Sequence, residues 1–396
     1  MMSRLQVFCL GLTQLVSWGI SYYLIGTFAG TIGTERGWSM DAIYGGFAAA
    51  LIVMGLTSAL TGRLIDRFGG RWIMSTGAFL IAAGCTGIAV SHSLVGYYAS
   101  WLVLGLAMRL SLYDAAFAAL VKLAGPAARQ PIAQITLLGG LASTVFWPIG
   151  HYLTDFFGLT AALLCYAAFA LCTIPLYLVA LRPPQGPQAA TVEAARAGIP
   201  EPNRGTGRPQ SLAPAILYAI IVAATNSLSA GLTSHLIGIL GGLGMASVSA
   251  VWIASLPGIA QSTARFTNLV IGRSLNPLTL NLIAASVMPV AFLFSFFSGR
   301  SMVLAAVFVG LFGAANGLMT ITRGSLPLVL FDNRHYGSLV GKLITPSFFL
   351  SAASPLVFAV VIERAGNMAA LVLSLALGVV IFTASIALKL IGRSTT

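Results

Sequence analysis

The chain has 396 residues, 58% of them hydrophobic and 8% charged, and its 21 Lys and Arg against 9 Asp and Glu give a net charge of +12. A soluble domain carries about 25% charged residues. At a third of that density a chain of this length cannot cover its surface with polar groups, which excludes an ordinary soluble enzyme, a disordered chain and a disulfide scaffold. The cations do not form the compact basic face that nucleic-acid binding requires; they lie in short links between long apolar runs. The expected partner is therefore the lipid bilayer, and no nucleic-acid partner is expected.

A membrane-spanning helix needs about 20 mainly apolar residues. In chain order such runs fall near 5–32, 42–61, 72–90, 95–121, 131–153 and 160–181, then near 212–240, 246–270, 279–298, 302–325, 338–361 and 368–391. They predict an all-α integral membrane protein of twelve transmembrane helices. Continuous apolar runs of this length, without two-residue alternation, exclude a transmembrane β-barrel. The first run is too long for a signal-peptide core and is expected to be retained as a span. Residues 183–211, rich in Pro, Gly, Ala and Arg, show no apolar period. They are expected to form a cytoplasmic linker, with a short helix near 190–197, between an amino-terminal bundle (1–182) and a carboxy-terminal bundle (212–396). Cys9, Cys85, Cys165 and Cys172 all lie in apolar runs and are expected to be small buried hydrophobes.

Basic residues orient the chain. With the amino terminus in the cytoplasm, 15 Lys and Arg fall on the cytoplasmic side, three (Arg36, Arg300, Arg364) on the far side, and three (Arg109, Arg265, Arg323) inside spans. This asymmetry predicts that both termini are cytoplasmic, in a bacterial inner membrane.

Several landmarks recur at a nearly constant offset. Pro148 and Pro355 are 207 residues apart, Asp114 and Arg323 209, and Gly62-Arg63 and Gly272-Arg273 210. The offsets predict two pseudo-symmetric six-helix bundles in parallel repeat. In that architecture substrate sits between the bundles near the midplane, and the first, fourth, seventh and tenth spans line the cavity. Trp147-Pro148 and Pro355 are expected to kink the fifth and eleventh spans.

The link after the second span reads Gly62-Arg-Leu-Ile-Asp66-Arg67-Phe-Gly69-Gly-Arg71. Glycine permits the sharp turn and close helix approach, and Asp66 is expected to accept hydrogen bonds from a helix N-terminus and to pair with a basic neighbour. In pattern and placement the segment resembles the motif of the major facilitator superfamily: Gly, three residues, Asp, a base, one residue, Gly, one residue, a base. The resemblance implies the major facilitator fold. It also implies that Gly62, Asp66, Arg67, Gly69 and Arg71 form a latch that holds the two bundles together when the cavity faces outward.

Ionised side chains at bilayer depth cost about 2.5–3.5 kcal/mol on insertion scales, and such residues mark function or a buried network. The spans hold four: Arg109 and Asp114 in the fourth, Arg265 in the eighth and Arg323 in the tenth. Polar stripes accompany them. Gln14, Trp18, Ser21 and Tyr22 lie along the first span, and Arg109 and Tyr113 stand four apart in the fourth, a spacing that places them on one helix face. Asn226, Ser229 and Thr233 follow in the seventh span, Gln261 and Arg265 in the eighth, and Asn316, Thr320 and Arg323 in the tenth. Two compatible readings follow. The surplus arginines hold an anionic substrate such as a monocarboxylate, with Trp18, Tyr22 and Tyr113 as an aromatic wall and Asn226, Gln261 and Asn316 completing the site. Asp114 pairs with Arg323 or Arg109 as a gate or proton-coupling relay. The competing reading is a purely structural network with backbone carbonyls.

Arg265, Gly37-Trp38-Ser39 and the Asp66 loop resemble the monocarboxylate porter branch of the superfamily, in which an Asp stands four residues before the Arg; this chain has Gln261 there. Arg109, with Gly139-Gly140 and Pro148 in the fifth span, resembles the drug and proton antiporters, so efflux of toxic compounds by proton antiport is the alternative. A non-transporting membrane sensor is the alternative of another class. No nucleotide-binding loop is present, and no clustered nucleophile or metal-ligand spacing suggests an enzyme. The expectation is a monomeric secondary transporter for a small molecule, without metal or cofactor, driven by protons or another coupling ion.

Overall fold

The computed structural model describes residues 2–182, 212–272, 275–332 and 335–393, and among them the regular structure is helical. The linker expected at 183–211, its short helix near 190–197, and Arg273 lie outside the described residues.

Eight continuous helical stretches are long and apolar enough to cross a membrane. Two are too long for one crossing. A straight helix spanning the 58 residues Tyr336–Arg393 would run about 87 Å, against a hydrocarbon core of about 30 Å. It turns at Gly366 (φ 82°, ψ 173°), and Ala142–Ala180 turns at Gly158 (φ 79°, ψ 166°), a backbone region essentially confined to glycine. Leu94–Ala180 thus makes three crossings and Tyr336–Arg393 two. With Ser247–Val270, which carries Gln261 and Arg265, the described helices amount to the twelve spans expected. The two glycine breaks are 208 residues apart, in the same register as the sequence landmarks.

Three of the first six spans are interrupted. The first is helical over Arg4–Ser17, π-helical over Trp18–Tyr22 and helical again over Leu24–Arg36. The fourth is Leu94–Ser111 followed by Tyr113–Ala124. The fifth is Arg129–Gly139 and resumes at Ala142. The break in the fifth span is therefore at residues 140–141, whereas the helix continues through Pro148, the residue expected to kink it. Not every cysteine is buried: Cys9 and Cys85 are, but Cys172 is exposed on the outer face of the sixth span.

The second and eleventh spans pack closely at one end. Gly62 meets Gly337, Ser58 meets Gly341, and Gly55 meets Phe348 and Phe349; a Cβ on Gly62 would overlap the Gly337 carbonyl, so only glycine allows this approach. The Asp66 carboxylate accepts from the backbone N–H of Gly337 (3.0 Å) and Ser338 (2.7 Å), satisfying free donors at the start of the eleventh span. The expected basic partner takes another place. Lys122 donates to the backbone carbonyls of Ile65 and Asp66, at a helix C-terminus where cations are favoured. Among the described residues no basic side chain comes within 4.0 Å of the Asp66 carboxylate. Arg67 and Arg71 lie over the neighbouring rings of Phe68 and Trp72, and Gly69 (φ 83°) turns the chain into the third span. On the other side of this end, Ala133 of the fifth span packs on Leu280 and Ile321, and Phe117 and Ile132 pack on Gly324. The Asp66 end is thus sealed by contacts between the first six and the last six spans.

The seal predicts that Asp66→Ala loosens the start of the eleventh span. In a variant lacking the native cysteines, a Ser338→Cys thiol is expected to react several-fold faster with an impermeant reagent once Asp66 is Ala; an unchanged rate would contradict the cap.

Candidate functional site

The interruptions in the first, fourth and fifth spans lie close together, and the one in the fourth releases a backbone carbonyl that polar side chains take up. At Leu112 the chain is extended (φ −80°, ψ −173°). The freed Ser111 carbonyl accepts from Gln14 Nε2 (2.9 Å) and the Tyr177 hydroxyl (3.3 Å), which accounts for a glutamine and a tyrosine buried in apolar helices. Because of this break Arg109 and Tyr113 do not share the helix face their spacing suggested. Instead Tyr113 opens a new helical segment with Asp114 in its first turn, where the helix N-terminus favours a carboxylate. In the fifth span the Thr136 carbonyl receives the Gly140 N–H (3.0 Å), the Tyr113 hydroxyl (3.2 Å) and Arg265 Nη1 (3.1 Å).

Asp114 gathers a charge cluster. Arg323 Nη2 donates to its Oδ2 at 2.7 Å, and Arg109 Nη1 lies 4.0 Å from the same oxygen. Arg109, only 3% exposed, is held by its Nε donating to Ser58 Oγ (3.1 Å), while Ser58 donates to the Gly341 carbonyl (2.6 Å). Both guanidinium groups lie 5.9 Å from the ring centroid of Phe348, whose π face favours cations. Arg323 Nη1 reaches Asn226 Oδ1 (3.5 Å), and Asn226 Nδ2 donates to Ser347 Oγ (3.2 Å). The cluster joins the second, fourth, seventh, tenth and eleventh spans. Beside it, between the seventh, ninth and tenth spans, is a cavity of about 30 Å³ with Asn226, Asn316 and Arg323 in its wall. That volume suits one or two waters and no organic solute.

Arg265 differs from the other two arginines. It is 3% exposed and has only neutral acceptors: the carbonyls of Gly317 (3.3 Å) and Thr136 (3.1 Å), Gln261 Oε1 (3.2 Å) and Thr320 Oγ1 (3.3 Å). These occupy four of its five N–H donors. Among the described residues no carboxylate lies within 4.0 Å of it. The Thr136 bond crosses from the last six spans to the first six.

Opposite these cations stands an aromatic group from the first six spans. The Trp18 ring centroid is 5.0 Å from that of Tyr22 and 4.8 Å from that of Tyr113; Tyr22 contacts Phe47, and Tyr23 contacts Trp147.

The structure therefore brings Trp18, Tyr22 and Tyr113 into one aromatic group and Arg109, Asp114, Asn226 and Arg323 into one ionic cluster, with Gln261 on Arg265 and Asn316 bonded to Ser229 (2.9 Å). Sequence reasoning missed Tyr23, Ser58, Thr136 and Phe348. Ser58 had a signal, since it lies one turn before Gly62 on the same face. Tyr23 is brought inward by the π-helical turn, Thr136 acts through its backbone, and Phe348 looks like any lipid-facing phenylalanine.

Removing one partner of a buried pair costs about 3–5 kcal/mol because the other charge is stranded. Arg323→Ala and Asp114→Ala are each expected to lower the melting temperature of the purified protein more than half as much as the double variant does. Strictly additive losses would show that the pair is uncoupled.

The sequence matches the family described as Major Facilitator Superfamily over residues 10–355. No curated protein sequence matches it significantly. Solved structures with the same fold include the human organic anion transporter MFSD10 (TETRAN), 20% identical, with 96% of each chain covered and a TM-score of 0.66. They also include the proton:xylose symporter XylE bound to 6-bromo-6-deoxy-D-glucose, 13% identical, with 96% of this chain and 94% of that one covered and a TM-score of 0.74. With twelve apolar spans, a sealed junction at the Asp66 motif and a family match over most of its length, the chain is an integral membrane protein that belongs to the Major Facilitator Superfamily of secondary transporters.

Proposed function

We propose that the protein moves a small organic anion, of the size and charge of a monocarboxylate, by alternating access. The observation that carries this reading is Arg265: a buried guanidinium at the meeting of the two six-span groups, satisfied only by neutral acceptors and with one N–H to spare. The ionised groups at bilayer depth are three arginines and one aspartate, an excess of two positive charges where charge is expensive. A substrate carboxylate replaces the Thr136 carbonyl and Gln261 with a charge-assisted, bidentate partner and lowers that excess. At 20% and 13% identity the solved relatives support the fold and say nothing of this chain's substrate.

In this reading residues 1–182 and 212–396 move as two bundles joined by 183–211. The Asp66 contacts are the latch, and the basic asymmetry of the links puts that end, with both termini, in the cytoplasm of a bacterial inner membrane. The sealed state then faces outward. Asp114, held between Arg323 and Arg109, is the coupling group: protonation removes its charge, weakens the bond to Arg323 and frees the tenth span from the fourth. Arg109 acts by positioning Asp114. The working unit is a monomer.

Two experiments in proteoliposomes test this. Arg265→Gln is expected to reduce uptake of a small organic anion at least tenfold, while Arg63→Ala changes it less than twofold; equal effects would contradict direct recognition. Asp114→Asn is expected to abolish accumulation driven by a pH gradient while leaving anion exchange measurable, and accumulation that persists would remove Asp114 from the coupling.

A further inference from the structure

We infer that the anion carried is a flat aromatic carboxylate rather than an aliphatic one; the inference rests on the organic-anion reading above and specifies the body attached to the charge. Arg265 accounts for an anion of any shape, so the body is decided by what faces it. Tyr113 and Arg265 donate to the same Thr136 carbonyl, which keeps the phenol and the guanidinium within about 6 Å of each other. Arg265 of the eighth span thus stands beside Tyr113 of the fourth, on which Trp18 of the first span packs, with Tyr22 against Trp18 and Tyr23 against Tyr22.

These rings are not packed face to face. Trp18 is tilted 56° to Tyr22 and 44° to Tyr113, and Tyr22 stands at 82° to Phe47. Trp18, Tyr22 and Tyr23 remain half-buried, so faces and edges are available to a further ring. An arene gains edge-to-face contact on such a surface beyond the area it buries, whereas a saturated chain gains area alone. Trp18 packs on Tyr113, which shares its acceptor with Arg265, so a ring lying along the aromatic group carries a carboxylate toward Arg265. Charge at one end and a ring surface at the other describe an amphiphile the size of benzoate.

The test is equilibrium binding to the purified full-length protein in nanodiscs, by calorimetry, with benzoate, butyrate and uncharged benzamide as probes. Benzoate is expected to bind at least tenfold more tightly than butyrate, and benzamide at least tenfold more weakly than benzoate. Trp18→Leu is expected to weaken benzoate about tenfold and butyrate less than threefold, so that the preference collapses. Tyr22→Leu serves as the second variant, each variant being checked for a wild-type elution profile. Butyrate binding within threefold of benzoate in the wild type would overturn the aromatic specificity and leave the organic-anion reading standing. If neither carboxylate binds, or benzamide binds as well as benzoate, both fall.

Discussion

Three arginines and one aspartate sit at the depth where hydrocarbon surrounds the protein, and the rest of the structure is arranged around keeping them tolerable. An ionised side chain is expensive there unless it is paired or hydrogen-bonded by the protein. Two of the arginines converge on Asp114 and on the face of Phe348, with the buried Nε of Arg323 left without a hydrogen-bond partner. The third, Arg265, is settled by oxygen dipoles alone. In the proposed function that difference separates a pair that holds the spans together from a cation available to a solute.

Two of the oxygen atoms on Arg265 are backbone carbonyls, of Gly317 in the uninterrupted tenth span and of Thr136 just before the break in the fifth, and two are the side-chain oxygens of Gln261 and Thr320. Interruption at Leu112 exposes Ser111 O to two side chains, whereas Thr136 O keeps its helical bond from the Gly140 N–H and accepts Tyr113 and Arg265 in addition. These interruptions lie beside the first span's π-helical turn, which carries Trp18 and Tyr22. Irregular backbone at membrane depth is accepted only where protein or a polar cavity covers it. Here it brings the aromatic group, the carbonyl acceptors and the arginines of the opposite bundle to one place. The Asp66 cap acts at a distance from this site but on the same contact: the second and eleventh spans that it clamps also carry Ser58 and Phe348, which position Arg109 and Arg323. In the proposed mechanism, loosening the cap and moving the ionic cluster are one mechanical event.

Much of this was legible in the sequence because hydropathy and charge report burial directly. The twelve spans follow from run length, and Arg109, Asp114, Arg265 and Arg323 stand out because few residues in an apolar run are ionisable. Asp66 as a helix cap followed from the Gly-rich link around it. Breaks in helices were not legible. Leu112 is an ordinary leucine in an apolar run, and its extended backbone is set by tertiary contacts from Gln14 and Tyr177, so the helical spacing of Arg109 and Tyr113 misled. Pro148 marks a part of the fifth span that is continuous helix, and the break at residues 140–141 carries no proline to mark it. Thr136 contributes an atom that every residue possesses, and no side-chain pattern marks it.

In the proposed mechanism substrate replaces neutral oxygens on Arg265 and the bond between Arg265 and Thr136 is lost, so recognition and release of one contact between the first six and last six spans coincide. The most direct measurement of that claim is anomalous diffraction from crystals grown with 4-bromobenzoate. The account predicts a bromine peak against Trp18 and Tyr113 with the carboxylate on Arg265 and the Arg265–Thr136 bond opened. A ligand bound elsewhere, with Arg265 still on Thr136, Gln261 and Thr320, would contradict it.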